Sequence, residues 1–181
     1  MLQDAIILDM LKSAQDYNNY NDSPRRITFM AGAMASGKTF TRNWLNEKGR
    51  FPLNTFVKID TDVVRQRLPE WTLYSRQFPE LAGKLTQQEA GFICEIATMA
   101  CLQAGKNILV DGSLRDTAWY AKYFDFIRSE YPQFEISIFH VTAQRARDRA
   151  MSTGRVVPMA LLEEALEQVP RSLQILICRC I

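Results

Sequence analysis

Apolar residues along this chain follow helical spacing in some segments and form short continuous runs in others, so the two patterns predict helices and strands in turn. Leu2, Ile6 and Met10 lie on one face of a first predicted helix, which extends to about Tyr17. The chain from there to Pro24 is polar and predicts a connector.

Four runs rich in β-branched and apolar residues have the length of buried strands: residues 26–31, 55–60, 107–111 and 134–141. Helical spacing is found at residues 39–47, 86–105, 116–130, 143–151 and 159–168. Thr86 and Glu89 match a capping box at the start of the longest of these helices. Strands that alternate with helices predict an α/β fold with a mainly parallel sheet.

The segment between the first strand and the next helix reads Gly32-Ala33-Met34-Ala35-Ser36-Gly37-Lys38-Thr39. It fills every fixed position of the phosphate-binding pattern G-x-x-x-x-G-K-[ST]. In such a loop the backbone N–H groups surround the phosphates of ATP or GTP. The lysine contacts the β- and γ-phosphates, and the threonine hydroxyl binds Mg²⁺. We therefore expect a three-layer P-loop nucleoside-triphosphate-binding fold in residues 25–181, preceded by a helix and connector in residues 1–24.

Carboxylates follow the second and third predicted strands. Asp60 and Asp62 stand after the second strand, where one can act as a general base or hold Mg²⁺ while the other caps the next helix. Asp111 ends the third strand, where it either associates with the metal or caps a turn. Because parallel strands end at one edge of the sheet, we expect these three residues to lie near Lys38.

Other charged residues leave alternatives open. Glu95 is the only charged residue between Ala90 and Gly105, so it lies either on a solvated strip of its helix or in a cleft. His140, the single histidine, lies in an apolar strand and is expected to be buried and structural. Four arginines form either a solvated helix face or a lid that stabilises the transferred phosphoryl group: Arg145, Arg147, Arg149 and Arg155.

Composition sets limits on the function. A net charge of +2 does not predict binding to nucleic acid or to a membrane surface. Cys94 and Cys101 are seven residues apart and are expected to be core residues of one helix face, whereas Cys178 and Cys180 lack the further ligands of a zinc site. The expected compartment is the reducing cytoplasm.

Four motifs in this order resemble the zeta toxin family of P-loop kinases: GAMASGKT, then IDTD followed by Arg65 and Pro69, then VDGSLR and TGRVVP. The resemblance extends from about Arg25 to Leu173. It implies transfer of the γ-phosphate of ATP to a small acceptor. In bacterial members the acceptor is the sugar 3′-hydroxyl of UDP-N-acetylglucosamine. A small-molecule substrate is thus implied, and an antitoxin-like protein partner is compatible with the sequence but not indicated by it.

The resemblance also assigns roles to residues. Lys38 and Thr39 serve ATP and Mg²⁺, Asp62 aligns with the catalytic base, and Asp111 replaces a glutamate of the toxin motif. Contacts with the substrate fall on Asp60, Glu95, Asp111, Ser113 and Arg115, and the metal contacts on Thr39 and Asp111. Arg155 and one further arginine, for which Arg149 is the first choice, match the arginines that stabilise the phosphoryl group.

The end of the chain departs from the family. After Ser172 the family continues into another strand at the edge of the sheet, whereas here the chain ends with residues 175–181. These residues either form a substitute strand or leave the domain without its C-terminal edge strand. This end of the chain supports one alternative to a kinase, an incomplete domain that only binds. The other alternative is a nucleotide-dependent switch or NTPase, against which Asp62 and the predicted arginine lid argue.

Overall fold

The sheet in the computed structural model has four parallel strands: β1 (Arg25–Ala31), β2 (Phe56–Asp60), β3 (Asn107–Asp111) and β4 (Phe134–His140). Their order across the sheet is β2-β3-β1-β4. The structure describes residues 2–14, 24–33, 35–142 and 159–177. The predicted α/β fold with a parallel sheet is confirmed, and each strand end lies within one residue of its predicted position.

Helices flank this sheet. Their bounds are α1 Leu2–Lys12, α2 Lys38–Glu47, α3 Thr61–Gln66, α4 Pro69–Gln77, α5 Pro79–Leu85, α6 Gln87–Gln103, α7 Thr117–Glu130 and α8 Met159–Ile177, with a 3₁₀ turn at Leu53–Thr55. Helices α4 and α5 had no prediction from the sequence. Each begins with a proline, which suits a first helical turn because its φ is preset and no N–H is needed there. The helix predicted at residues 143–151 lies outside the described residues.

The two faces of the sheet bury different sets of side chains. Ile27, Phe29 and Ala31 of β1 point into the main core with α1, α6, α7 and α8, as the period of two in a strand requires. Met30 points to the other face, where it meets a smaller cluster that includes Phe56 and Leu109. The main core and the smaller cluster therefore lie on opposite faces of the sheet.

The C-terminal segment corrects one expectation. Residues 175–177 do not form a substitute strand, because α8 runs without interruption from Met159 to Ile177 and passes the predicted end at Gln168. Val169, Leu173 and Leu176 are all at most 4% exposed and follow helical spacing into the main core. In the described part of the chain, no strand pairs with the outer side of β4.

Two local expectations were wrong. Thr86 does not form the capping box, because its hydroxyl donates to the carbonyl of Ala82 at 2.8 Å and its backbone is already helical as α5 leads into α6. His140 is exposed rather than buried, because it is the last residue of the outer strand β4. The expectation for the cysteines is confirmed, since Cys94 and Cys101 are both buried in the core.

Helix α1 packs on the domain that follows it. Ile6 is fully buried and Met10 is 8% exposed in the main core. At its surface, Asp9 pairs with Arg67 at 2.8 Å, and Gln3 donates to Glu89 at 3.2 Å. These contacts connect the first helix with the segments around α3 and α6.

We predict that Ile6→Ala lowers the free energy of unfolding by about 2–5 kcal/mol, because it leaves a cavity in a packed core. Urea denaturation of both variants measures the effect. Leu8→Ala is the matched control on the same helix, since Leu8 is 56% exposed, and it should change stability by less than about 0.5 kcal/mol. Equal stability of the two variants would show that α1 does not fold with the sheet.

Candidate functional site

The loop after β1 has the backbone conformation of a phosphate cradle. Gly32 has φ +147°, and a Cβ there would lie 2.6 Å from the carbonyl oxygen of Val141. Gly37 has φ +96° and caps α2, whose first residue is Lys38. Ala35 also has a positive φ, of 59°. The loop therefore approaches neighbouring backbone as closely as only glycine permits and ends at a helix N-terminus, where an anion is stabilised.

Lys38 and Thr39 begin α2. The ammonium of Lys38 donates to the carbonyl oxygens of Gly32 at 2.9 Å and of Ala33 at 3.1 Å, so it lies across the loop. Thr39 is exposed at the same end of the helix, and Ser36 is buried under the loop. Met34, the remaining residue of the motif, lies outside the described residues.

The predicted acidic residues meet at the edge of the sheet. Asp60 of β2 is the register partner of Asp111 of β3. Burial and the charges of Asp60 and Asp62 raise the pKa of Asp111, while Lys38 lowers it. Lys38, Asp60, Asp62 and Asp111 therefore share one electrostatic neighbourhood, as the sequence predicts.

Asp60 and Asp62 are separated by their local structure. The Oδ1 of Asp60 accepts hydrogen bonds from the backbone N–H groups of Asp62 at 2.9 Å and Val63 at 3.4 Å, so Asp60 is the N-cap of α3. Asp62 lies in the first turn of that helix with its side chain 47% exposed. Asp60 is thus the helix cap, and Asp62 keeps a nearly half-exposed carboxylate.

Arg42 is a charged residue of this site that sequence reasoning missed. Its Nη1 lies 3.5 Å from Oδ2 of Asp111, and both side chains are at most 14% exposed. Partial burial and the charge of Arg42 lower the pKa of Lys58. The signal was present, because Arg42 stands four residues after Lys38 and must share its helix face.

The donor set suits Mg²⁺ held jointly with nucleotide phosphates. Thr39 offers a hydroxyl and Asp111 a carboxylate, which are the oxygen ligands that Mg²⁺ prefers. No three His, Cys, Asp or Glu side chains within the described residues are arranged as a metal site of their own. Magnesium commonly takes one or two protein ligands and completes its shell with phosphate oxygens and water, and Thr39 and Asp111 would supply that number.

The turn between β3 and α7 connects the phosphate loop with α8. Its Ser113 carbonyl accepts a long hydrogen bond, 3.4 Å, from the N–H of Gly32. Leu114 has φ +57° although its side chain is 1% exposed in the main core. The buried hydroxyl of Ser172 accepts from Thr117 at 2.6 Å and donates to the Arg115 carbonyl at 2.9 Å. The turn is thus held from both sides.

Arg115 lies at the start of the segment that leads into α7. It is exposed and lines a cavity of about 460 Å³ between the start of α7 and α8. Thr117, Arg171 and Ser172 line the same cavity. The assignment of Ser113 and Arg115 to one substrate stays a prediction.

Glu95 is exposed on α6, and its contact with the substrate stays a prediction. Its neighbours Phe92 and Ile96 are also exposed, at 59% and 39%. Glu95 contributes to the raised pKa of Cys94, about 11, whose main cause is burial. Cys94, the residue before Glu95, lies 3.7 Å from the hydroxyl of Thr61, the residue before Asp62. Glu95 and Asp62 therefore belong to neighbouring helices, α6 and α3.

The predicted lid arginines cannot be placed. Arg145, Arg147, Arg149 and Arg155 all lie outside the described residues. Their assignment to the transferred phosphoryl group stays a prediction.

The zeta toxin family model matches residues 9–180. The chain belongs to the zeta toxin family. No curated protein sequence matches it. This membership confirms the resemblance seen in the four sequence motifs.

Solved structures share the fold at low sequence identity. A structure from the PezAT toxin–antitoxin system of Streptococcus pneumoniae matches with a TM-score of 0.75 and 16% identity, over 99% of this chain and 73% of that one. The Pnkp1/Rnl/Hen1 RNA repair complex matches with a TM-score of 0.57 and 17% identity, over 88% of this chain and 48% of that one. A candidate kinase of Chloroflexus aurantiacus matches with a TM-score of 0.56 and 15% identity, over 80% and 76%. The zeta toxin-family chain therefore has a P-loop kinase fold.

No helix among the described residues is both long and apolar enough to cross a membrane.

We predict that Gly32→Ala weakens ATP binding at least tenfold, because its methyl group would meet a backbone carbonyl that cannot rotate away. Isothermal calorimetry with ATP measures the loss. Gly49→Ala is the matched control, since Gly49 also has a positive φ, +67°, but a Cβ there meets nothing within 4 Å. Parent-like ATP affinity in Gly32→Ala would contradict the cradle geometry.

We also predict that Asp111→Asn raises the free energy of unfolding at pH 7. The pKa of Asp111 is raised in the folded protein, so its ionised form opposes folding, and stability is lost as pH rises from 3.8 through the folded pKa. The gain from the asparagine should therefore shrink as the pH falls toward 3.8. Urea denaturation at several pH values tests this, and a difference that does not change with pH would contradict it.

Proposed function

We propose that this zeta toxin-family protein is a kinase that moves the γ-phosphate of ATP to a hydroxyl group of a small acceptor. The acceptor class that the family supports best is a UDP-sugar such as UDP-N-acetylglucosamine. The observation that carries the proposal is the half-exposed Asp62 carboxylate, placed at the sheet edge in the same electrostatic neighbourhood as Lys38 and Asp111. A base that an acceptor can reach beside a phosphate loop is what phosphoryl transfer requires.

The chemistry assigns one task to each residue. Asp62 accepts the proton of the acceptor hydroxyl while the oxygen of that hydroxyl forms a bond to the γ-phosphorus. The bond from that phosphorus to the β–γ bridging oxygen breaks, and ADP leaves. Lys38 neutralises charge on the phosphates, and Thr39 and Asp111 would hold Mg²⁺, which supplies further charge neutralisation when bound.

Arg42 offsets part of the negative charge that the acidic residues place near the phosphate loop. Its guanidinium compensates the buried Asp111, which otherwise stands beside two more carboxylates. We infer that this compensation limits the repulsion between the acidic residues and the incoming phosphates. The role of Arg149 and Arg155 as phosphoryl-stabilising residues is part of the same proposal.

The biological setting is also a proposal. Buried free thiols at Cys94 and Cys101 are in keeping with a reducing cytoplasm. An antitoxin-like partner is compatible with the fold, since the PezAT neighbour comes from a toxin–antitoxin system. The net charge of +2 supports a small acceptor over a nucleic acid, although one structural neighbour is an RNA repair complex.

The first experiment follows labelled γ-phosphate from MgATP into a panel of acceptors led by UDP-N-acetylglucosamine, with an RNA oligonucleotide included. Lys38→Ala is the blank. Label on a sugar nucleotide supports the proposal, and label on the RNA would replace its acceptor. ATP binding without transfer to any acceptor would favour a nucleotide-dependent switch.

We predict that Asp62→Asn lowers kcat by at least about 10²-fold, in the range of general-base catalysis, and leaves the ATP affinity nearly unchanged. Lys38→Ala should weaken both, because it removes the phosphate contact and the bonds to the Gly32 and Ala33 carbonyls. Transfer rates and calorimetric ATP affinities separate the two variants. Parent-like transfer by Asp62→Asn would remove Asp62 as the base.

A further inference from the structure

Arg65 on α3 has an almost fully enclosed guanidinium group. Its side chain is only 13% exposed. Nη2 donates to Oε1 of Gln87 at 2.7 Å, and Cζ lies 6.0 Å from the ring centroid of Trp71. A Cβ at Gly83 would lie 3.0 Å from Nη1, so the glycine makes room for the group. A guanidinium enclosed to this extent is ordinarily paired, and the partners of Arg65 are Gln87 and Asp62.

The two terminal nitrogens of the Arg65 guanidinium differ in how closely they approach their partners. Gln87 holds Nη2 at 2.7 Å, whereas Nη1 lies 3.6 Å from Oδ1 of Asp62. Within the described residues, the buried Nε–H of Arg65 has no hydrogen-bond partner. A buried polar group left in this state is unfavourable, so the site is not arranged for the greatest stability.

Stability does not account for the ion pair either. Asp62 is nearly half exposed, and pairs of this kind at a spacing of three residues contribute little. What the enclosure does is to fix a planar cation at one place beside the carboxylate. The contact is electrostatic, made to Oδ1 at 3.6 Å, and it favours orientations of the Asp62 carboxylate that keep Oδ1 toward the guanidinium.

We propose that Arg65 is a positioning residue for Asp62, held by Trp71, Gly83 and Gln87 so that its charge orients the carboxylate for the acceptor hydroxyl. The inference rests on the proposed function, in which Asp62 is the base. The three residues around the guanidinium come from α4, α5 and α6. The short helices α4 and α5 would therefore contribute to catalysis through the position of Arg65.

Gly83→Ala tests the inference without removing a charge or a hydrogen-bonding group. Its methyl group would press on Nη1 and shift the guanidinium relative to Asp62. We expect kcat to fall on the order of tenfold with the KM for ATP unchanged, which is less than the ~10²-fold loss that a 1 Å misplacement causes. Gly91→Ala is the matched control, because it adds the same methyl group to a helix where nothing lies within 4 Å. Both variants gain helix propensity, so thermal unfolding should show neither to be less folded than the parent.

A double-mutant cycle distinguishes positioning from a general loss of structure. If Gly83→Ala acts through Asp62, it should not lower the residual rate of Asp62→Asn any further. Arg65→Lys adds a second readout, since it keeps the charge but loses the planar fork that reaches Gln87 and Asp62 together. It should recover part of the kcat that Arg65→Gln loses.

The outcomes separate this inference from the proposed function. Equal kcat values for Gly83→Ala and Gly91→Ala, or losses from Gly83→Ala and Asp62→Asn that simply add, would overturn the positioning role alone. Parent-like transfer by Asp62→Asn, or no transfer by the parent enzyme, would overturn the proposed function and this inference with it.

Discussion

In-register parallel pairing places Asp60 of β2 beside Asp111 of β3, and the pairing of β3 with β1 brings both to the phosphate loop. The charged groups of the site depend on this ladder, because Asp60 and Asp62 lie at the end of β2, Asp111 at the end of β3 and Lys38 after β1. The consequence is a crowded edge where burial and neighbouring carboxylates raise the pKa of Asp111. Lys38 and Arg42, both on α2, supply the opposite charge that makes the arrangement tolerable.

Backbone strain is concentrated around the same edge. Ala35 in the phosphate loop and Leu114 in the turn after β3 are the non-glycine residues with positive φ in the described chain. Such conformations persist when their surroundings hold them, and here Leu114 is buried in the core while Ser172 bonds the next residue's carbonyl. The core and α8 thus stabilise the turn after β3 in a backbone conformation that leucine rarely adopts.

Much of the fold follows from local signals. The four strands and the start of α2 were predicted closely because short apolar runs and a phosphate-loop motif have few alternative structures. The helices α4 and α5 were missed, since their apolar residues Leu73, Leu81 and Leu85 are about half exposed and leave no clear periodic face. Helix α8 is longer than predicted because the core accepts Leu173 and Leu176, whereas their sequence also suits a strand.

The sequence by itself determined the phosphate loop, the parallel sheet and the family, because each is encoded by short patterns whose physics is local. Only the tertiary structure decided which aspartate caps a helix and how far the other is exposed, since the two stand two residues apart and differ only in the backbone around them. It also decided the partners of Arg42 and Arg65. Those contacts join the helices to residues on other elements, and no periodicity specifies how the side chains of separate elements meet.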